Sequence, residues 1–104
     1  MVGFLIFIYI SASTQPQEPS FFSEEQAEEG IVAYSQHCAS CHGADLRGIS
    51  APTLVGETFL ERWEGRTVAA LYHYTHEQMP PGRGGSLSDE TYARTVAYVF
   101  APRP

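Results

Sequence analysis

The chain has 104 residues, 43% of them hydrophobic, and its 12 acidic and 6 basic residues give a formal charge of −6 at pH 7. This length allows one small domain with a modest core, so a bound cofactor or a covalent cross-link would add much to its stability. The acidic balance argues against nucleic-acid binding, which needs a basic face, and it suits either a basic partner or simple solubility.

The first thirteen residues are predicted to be an export signal or the remnant of a membrane anchor. Residues 1–12, MVGFLIFIYISA, are apolar and uncharged. As a helix they would span about 18 Å, short of the roughly 30 Å hydrocarbon core of a bilayer. Small residues at 11–13 would permit cleavage, but the basic start of a typical signal is missing, and an apolar strand or core helix is the alternative. We expect a periplasmic or otherwise exported protein, with a route to membrane association through this segment.

Residues 14–22, TQPQEPSFF, contain two prolines and no periodic pattern and are predicted to be a linker, so the domain proper is expected over residues 23–104. Its first helix should begin after Ser23, because Ser23 and Gln26 have the spacing of a capping box. The apolar face of this helix is predicted to comprise Ala27, Gly30, Ile31, Tyr34 and Cys38.

Further helices are expected around residues 59–63 and 67–74. Residues 79–85, MPPGRGG, combine two prolines with three glycines and should form an irregular loop. A last helix should begin after Ser88 and end before Pro102. Its apolar stripe is predicted to comprise Tyr92, Val96, Val99 and Phe100. Since no segment alternates with period two, the predicted fold class is all-α.

Both cysteines of the chain lie in the segment HCASCHG, residues 37–43. A disulfide between Cys38 and Cys41 would close too small a loop to stabilise the chain much. A thioredoxin-like centre would need a preceding strand, which the pattern lacks. A structural zinc site would need four ligands, and His73 and His76 lie about thirty residues away, outside the common zinc-finger spacings.

The remaining interpretation of C-x-x-C-H is covalent attachment of haem. Two thiols on one helical turn, Cys38 and Cys41, can bond the two vinyl groups of a porphyrin, and the next residue, His42, then becomes an axial ligand of the iron. We therefore predict one covalently bound haem c, with its iron as the metal.

Met79 is the predicted second axial ligand. It lies in QMPPG, residues 78–82, where prolines stiffen the backbone and glycine permits close approach to a flat ligand. Haem iron is commonly held by His on one side and Met on the other. His37, His73 and His76 stay open as the other candidates, and a bis-histidine haem would have a lower potential.

Over roughly residues 24–101 the chain resembles a class I, monohaem cytochrome c. The matching segments are GIVAYSQHCASCHG (30–43), APTLVG (51–56), QMPPG (78–82) and AYVF (97–100). The resemblance implies the cytochrome c fold, in which the N- and C-terminal helices cross with Gly30, Tyr34 and Tyr98 at their contact. Short helices and loops would wrap the single haem.

The resemblance also implies roles for residues in the loops. Pro52 would lie against the haem on the side of His42, its segment orienting that imidazole through a backbone carbonyl. Leu54 and Phe59 would line the haem pocket. The segments RWEGRTVAALY, MPPG and LSDETYARTVAYV look most like the cytochrome subunits or domains that accompany quinoprotein dehydrogenases.

The function implied is that of a one-electron carrier and not an enzyme, with no catalytic residue, because protein side chains fill both axial positions of the iron. Its redox partners would be an exported dehydrogenase or cytochrome complex and a terminal acceptor such as an oxidase or another cytochrome. The alternative is a haem c subunit or domain with a displaceable sixth ligand that acts in catalysis or gas sensing.

Overall fold

The structure, a computed structural model, describes residues 23–101. This part of the chain contains five helices and no strand, in agreement with the predicted all-α class. The helices are α1 (Glu24–His37), α2 (Ala39–His42), α3 (Gly56–Trp63), α4 (Val68–Gln78) and α5 (Asp89–Phe100). None of the helices in residues 23–101 is long and apolar enough to cross a membrane. The predicted export segment and linker lie outside the described residues.

Side-chain caps fix the starts of α1, α4 and α5. The Ser23 hydroxyl accepts from the Gln26 N–H at 3.0 Å, and the Gln26 side chain accepts from the Ser23 N–H at 3.1 Å, which completes the predicted capping box. Thr67 and Ser88 each accept from the N–H three residues further on, at 3.0 and 3.1 Å. The predicted helix starts after Ser23 and Ser88 are therefore confirmed.

Two helices lie between α2 and α5, as predicted, but both are longer than the predicted segments. Helix α3 begins at Gly56 and not near residue 59, and α4 continues to Gln78 instead of ending at 74. The longer α4 brings its C-terminal end to the residue before Met79. The segment 79–88 between α4 and α5 contains neither helix nor strand, as predicted.

The central packing contact is the crossing of α1 and α5 at Gly30. A Cβ at Gly30 would overlap the backbone carbonyl oxygen of Arg94 and would lie 2.8 Å from the Cβ of Tyr98. Glycine is required here because any side chain would push the two helix backbones apart. Next to the crossing, the rings of Tyr34 and Tyr98 pack with centroids 5.3 Å apart. The predicted contact of the terminal helices is confirmed.

Two positions on the predicted apolar faces were wrong. Ile31 is 47% exposed and Phe100, the last residue of α5, is 54% exposed. In α1 the buried face is formed by Gly30, Ala33 and Tyr34, which are three and four residues apart. Ile31 is rotated by about 100° from Gly30 and so points away from the crossing. Within residues 23–101 the buried apolar residues are Ala33, Tyr34, Leu46, Val68, Leu71, Tyr92, Val96 and Ala97.

Candidate cofactor site

The two thiols and the imidazole of the C-x-x-C-H segment are carried by one helical turn after α1. Cys38 separates α1 from α2, and its N–H donates to the Tyr34 carbonyl at 2.8 Å. The N–H of His42 donates to the Cys38 carbonyl at 2.9 Å, which closes the turn. No disulfide joins Cys38 to Cys41, and both side chains are partly buried. The turn therefore places two sulfur nucleophiles and one imidazole side by side.

The environment of Cys38 differs from that of a thioredoxin-like centre. Burial raises the pKa of the Cys38 thiol to about 11, and repulsion from Cys41 adds to the shift. Thiol–disulfide exchange depends on a thiol with a lowered pKa, usually at the start of a helix after a strand. Cys38 follows a helix, and residues 23–101 contain no strand. Both observations agree with the sequence-based argument against a dithiol redox centre.

The loop after α2 orients the His42 ring. The Nδ1 atom of His42 lies 2.8 Å from the carbonyl oxygen of Pro52. Because a carbonyl can only accept, Nδ1 carries the proton and Nε2 keeps its lone pair. The N–H groups of residues 49–51 hold this loop on the Cys41 carbonyl at 2.9 to 3.1 Å. This contact leaves Nε2 of His42 as the nitrogen available to a metal, and the position of Pro52 against a haem stays a prediction.

Met79 is held at the end of α4 by hydrogen bonds on both sides of its backbone. Its N–H donates to the Thr75 carbonyl at 3.0 Å. Its own carbonyl accepts from the Tyr92 hydroxyl at 2.6 Å. The two prolines that follow restrict the backbone further. The thioether therefore extends from a fixed point and not from a mobile loop.

A single cavity of about 670 Å³ brings together all seven residues predicted for the site. They are Cys38, Cys41, His42, Pro52, Leu54, Phe59 and Met79. This volume is in the range of pockets that bind cofactors, and most of the lining is apolar. His37 also lines the cavity, whereas His73 and His76 do not. The Nε2 atom of His76 instead lies 3.0 Å from the Asp89 carboxylate.

Part of the cavity lining was not predicted from the sequence. These residues include Arg62 of α3, Leu71, Tyr74 and Thr75 of α4 and Thr95 of α5. The spacing of Leu71, Tyr74 and Thr75 marks one face of a helix, so periodicity could have found them. Nothing in the sequence distinguishes Arg62 from the other arginines. In the structure its guanidinium carbon lies 5.1 Å from the centre of the Tyr74 ring.

The fold and the cavity together define a class of protein. Two thiols and an imidazole on one turn, a thioether and an apolar cavity fit a haem bound through C-x-x-C-H in an all-α domain. Residues 25–99 match the sequence model of the family described as cytochrome c oxidase, cbb3-type, subunit III. The chain belongs to the cytochrome c family, whose members carry covalently bound haem c, transfer electrons and are typically exported.

Three similar proteins extend this comparison. Cytochrome c-551 of Bacillus subtilis is 26% identical over 103 residues, which cover 93% of this chain and 87% of that protein. Dihydro-heme d1 dehydrogenase of Pseudomonas aeruginosa is 32% identical over 75 residues, or 72% of this chain. Thiosulfate dehydrogenase of Stutzerimonas stutzeri is 36% identical over 81 residues, or 68% of this chain. The chain spans only 15% and 25% of the lengths of these two dehydrogenases.

Proposed function

We propose that this chain is a one-electron carrier with one haem c, attached through Cys38 and Cys41 and ligated by His42 and Met79. The observation that carries the proposal is the convergence of these four side chains on one cavity. When bound, the haem would supply one-electron chemistry between the Fe(III) and Fe(II) states, with the electron coming from a donor protein and leaving to an acceptor.

The residues of the chain have distinct roles in this proposal. Pro52 keeps the proton of His42 on Nδ1 and so presents Nε2 to the iron. Met79 offers a thioether, which favours the reduced state of the iron and raises its potential. The apolar lining, including Leu54 and Phe59, would also raise the potential, because it keeps water from the more highly charged oxidised state. Arg62 supplies a guanidinium at the cavity for the carboxylates of a haem.

With His42 and Met79 both holding the iron, no coordination position would be left for a substrate, and the chain would act as a carrier and not as an enzyme. The alignment with nearly the whole of cytochrome c-551 supports this proposal. The alternative, a haem c unit with a displaceable sixth ligand that acts in catalysis or gas sensing, needs a ligand other than Met79 or a weakly held Met79.

We further propose that the redox partners are an exported dehydrogenase or cytochrome complex and a terminal acceptor. The names of two relatives support a dehydrogenase. The charge of −6 suits a partner that presents a basic face. The link to a quinoprotein dehydrogenase, the periplasmic location and membrane association through residues 1–13 stay predictions.

Titration and ligand binding separate the carrier from its alternative. A redox titration of the purified haem protein should fit one step of one electron, because a single haem is present. The reduced protein at neutral pH should not bind carbon monoxide readily, since the sulfur of Met79 occupies the sixth position. Ready binding of carbon monoxide by the wild-type protein would contradict the carrier and favour the catalytic or gas-sensing alternative.

A further inference from the structure

We propose that Tyr92 is a positioning residue for the sixth ligand: its buried hydroxyl holds the backbone of Met79 and so sets how firmly the sulfur stays on the iron. This inference rests on the proposed ligation by Met79. The Tyr92 hydroxyl donates to the Met79 carbonyl at 2.6 Å, and Tyr92 is 1% exposed. A short hydrogen bond from a buried hydroxyl holds the two groups more firmly than one between two exposed groups.

Met79 needs a tie of this kind because it follows the last residue of α4. Its N–H still reaches the Thr75 carbonyl, but the carbonyl of Met79 lies past the end of the helical hydrogen-bond ladder. Pro80 and Pro81 have no N–H, so these two residues cannot bond the chain back onto α4. The Met79 carbonyl accepts its hydrogen bond from a different helix, through the hydroxyl of Tyr92 in α5.

Tyr92 is itself held by its neighbours. Its ring packs on the His76 imidazole with centroids 4.5 Å apart, and Nε2 of His76 lies 3.0 Å from the Asp89 carboxylate. Tyr92 belongs to the helix that crosses α1 at Gly30, where the backbones are in close contact. The Tyr92 hydroxyl therefore connects Met79 to the helix that forms the close crossing with α1.

Other contacts hold the loop between α4 and α5 without involving Met79. The N–H of Gly85 donates to the His76 carbonyl at 2.7 Å. Gly84 packs so closely on the backbone of Glu77 that a Cβ there would overlap its carbonyl oxygen. The Leu87 N–H also lies 3.5 Å from the Tyr92 hydroxyl oxygen, a long contact that is lost together with the hydroxyl. Because the contacts of Gly84 and Gly85 do not depend on Tyr92, removing its hydroxyl should loosen Met79 while residues 84 and 85 stay in place on α4.

The test is Tyr92→Phe in the ferric haem protein, with imidazole as the probe of the sixth position. Phenylalanine keeps the ring that packs on His76 and removes only the hydroxyl. The variant should bind imidazole about three- to tenfold more tightly than the wild type, the range expected for one buried hydrogen bond. The midpoint potential should fall, and the weak far-red absorption of a thioether bound to ferric iron should lose intensity.

Tyr34→Phe is the matched control. The Tyr34 hydroxyl is also buried and donates to a backbone carbonyl, that of Gly43, at 2.5 Å. Both variants should lose similar stability in chemical denaturation, so a general loosening of the fold would affect them alike. Tyr34 also lines the cavity, but its hydroxyl bonds the backbone next to His42 and not that of Met79. Only Tyr92→Phe should therefore change imidazole affinity at the sixth position. In a Met79→Ala background, Tyr92→Phe should have no further effect on imidazole binding, because the sulfur that it positions is gone.

Two results would overturn the inference, and they can be told apart. If the wild type shows the far-red band and Tyr92→Phe binds imidazole no more tightly than Tyr34→Phe, Met79 is the ligand but Tyr92 does not position it. If the wild type lacks the band, Met79 is not the ligand, and the proposed ligation fails together with this inference.

Discussion

Met79→Ala is expected to lower the midpoint potential by on the order of 100 mV or more, within the wide range that axial ligands control. The thioether favours the reduced state, and alanine offers no atom to replace it. The same variant should bind carbon monoxide when reduced and imidazole when oxidised, because the sixth position becomes open. Potentiometry and visible absorption measure all three effects on one sample.

Met79→His is the control that separates loss of the sulfur from opening of the cavity. A histidine at this position could still ligate the iron, so the potential should fall while carbon monoxide continues to bind poorly. A Met79→Ala protein that keeps the wild-type spectrum and potential would show that Met79 is not the ligand. His37 would then be the first alternative ligand to test, since it lines the cavity, whereas His73 and His76 do not.

Gly30→Ala is expected to lower the free energy of unfolding by about 2 kcal/mol. This value is the difference between two opposing effects. Alanine is more favourable than glycine in a helix by about 1 kcal/mol. Against this, the added methyl would overlap the Arg94 carbonyl, and overpacking of this kind costs about 3 kcal/mol when backbone atoms must move. Packing should win, because the atom in the way belongs to a backbone and not to a flexible side chain.

Chemical denaturation of the haem protein measures this effect. Glu28→Ala is the matched control, since Glu28 is exposed on the same helix, and it should change stability by no more than about 0.5 kcal/mol. If Gly30→Ala were as stable as the wild type or more stable, helix propensity would outweigh packing, and α1 and α5 would not cross as closely as the structure shows.

Features encoded in a few adjacent residues were predictable from the sequence. The haem-attachment segment places two thiols and an imidazole within one turn, so its chemistry needs no tertiary information. The capping box at Ser23 and Gln26 is likewise local, and it fixed the start of α1 correctly. The prolines after Met79 excluded a regular helix there for the same reason.

Features that depend on how helices pack were predicted less well. Ile31 fits a helical apolar pattern but is exposed. The crossing at Gly30 determines which side of α1 faces α5, and Ile31 lies on another side. The bond from Tyr92 to the Met79 carbonyl joins residues of different elements through a backbone atom, which no sequence pattern marks. The orientation of His42 by Pro52 was implied only by the resemblance to a family.

The most direct test of a haem attached through Cys38 and Cys41 combines two readings on purified, denatured protein. One is the visible spectrum in alkaline pyridine, which distinguishes a haem linked by two thioethers from one that keeps free vinyl groups. The other is the mass of the intact chain. We expect the spectrum of a doubly linked haem and the mass of the polypeptide plus one haem. A colourless protein with the mass of the polypeptide alone would contradict the account.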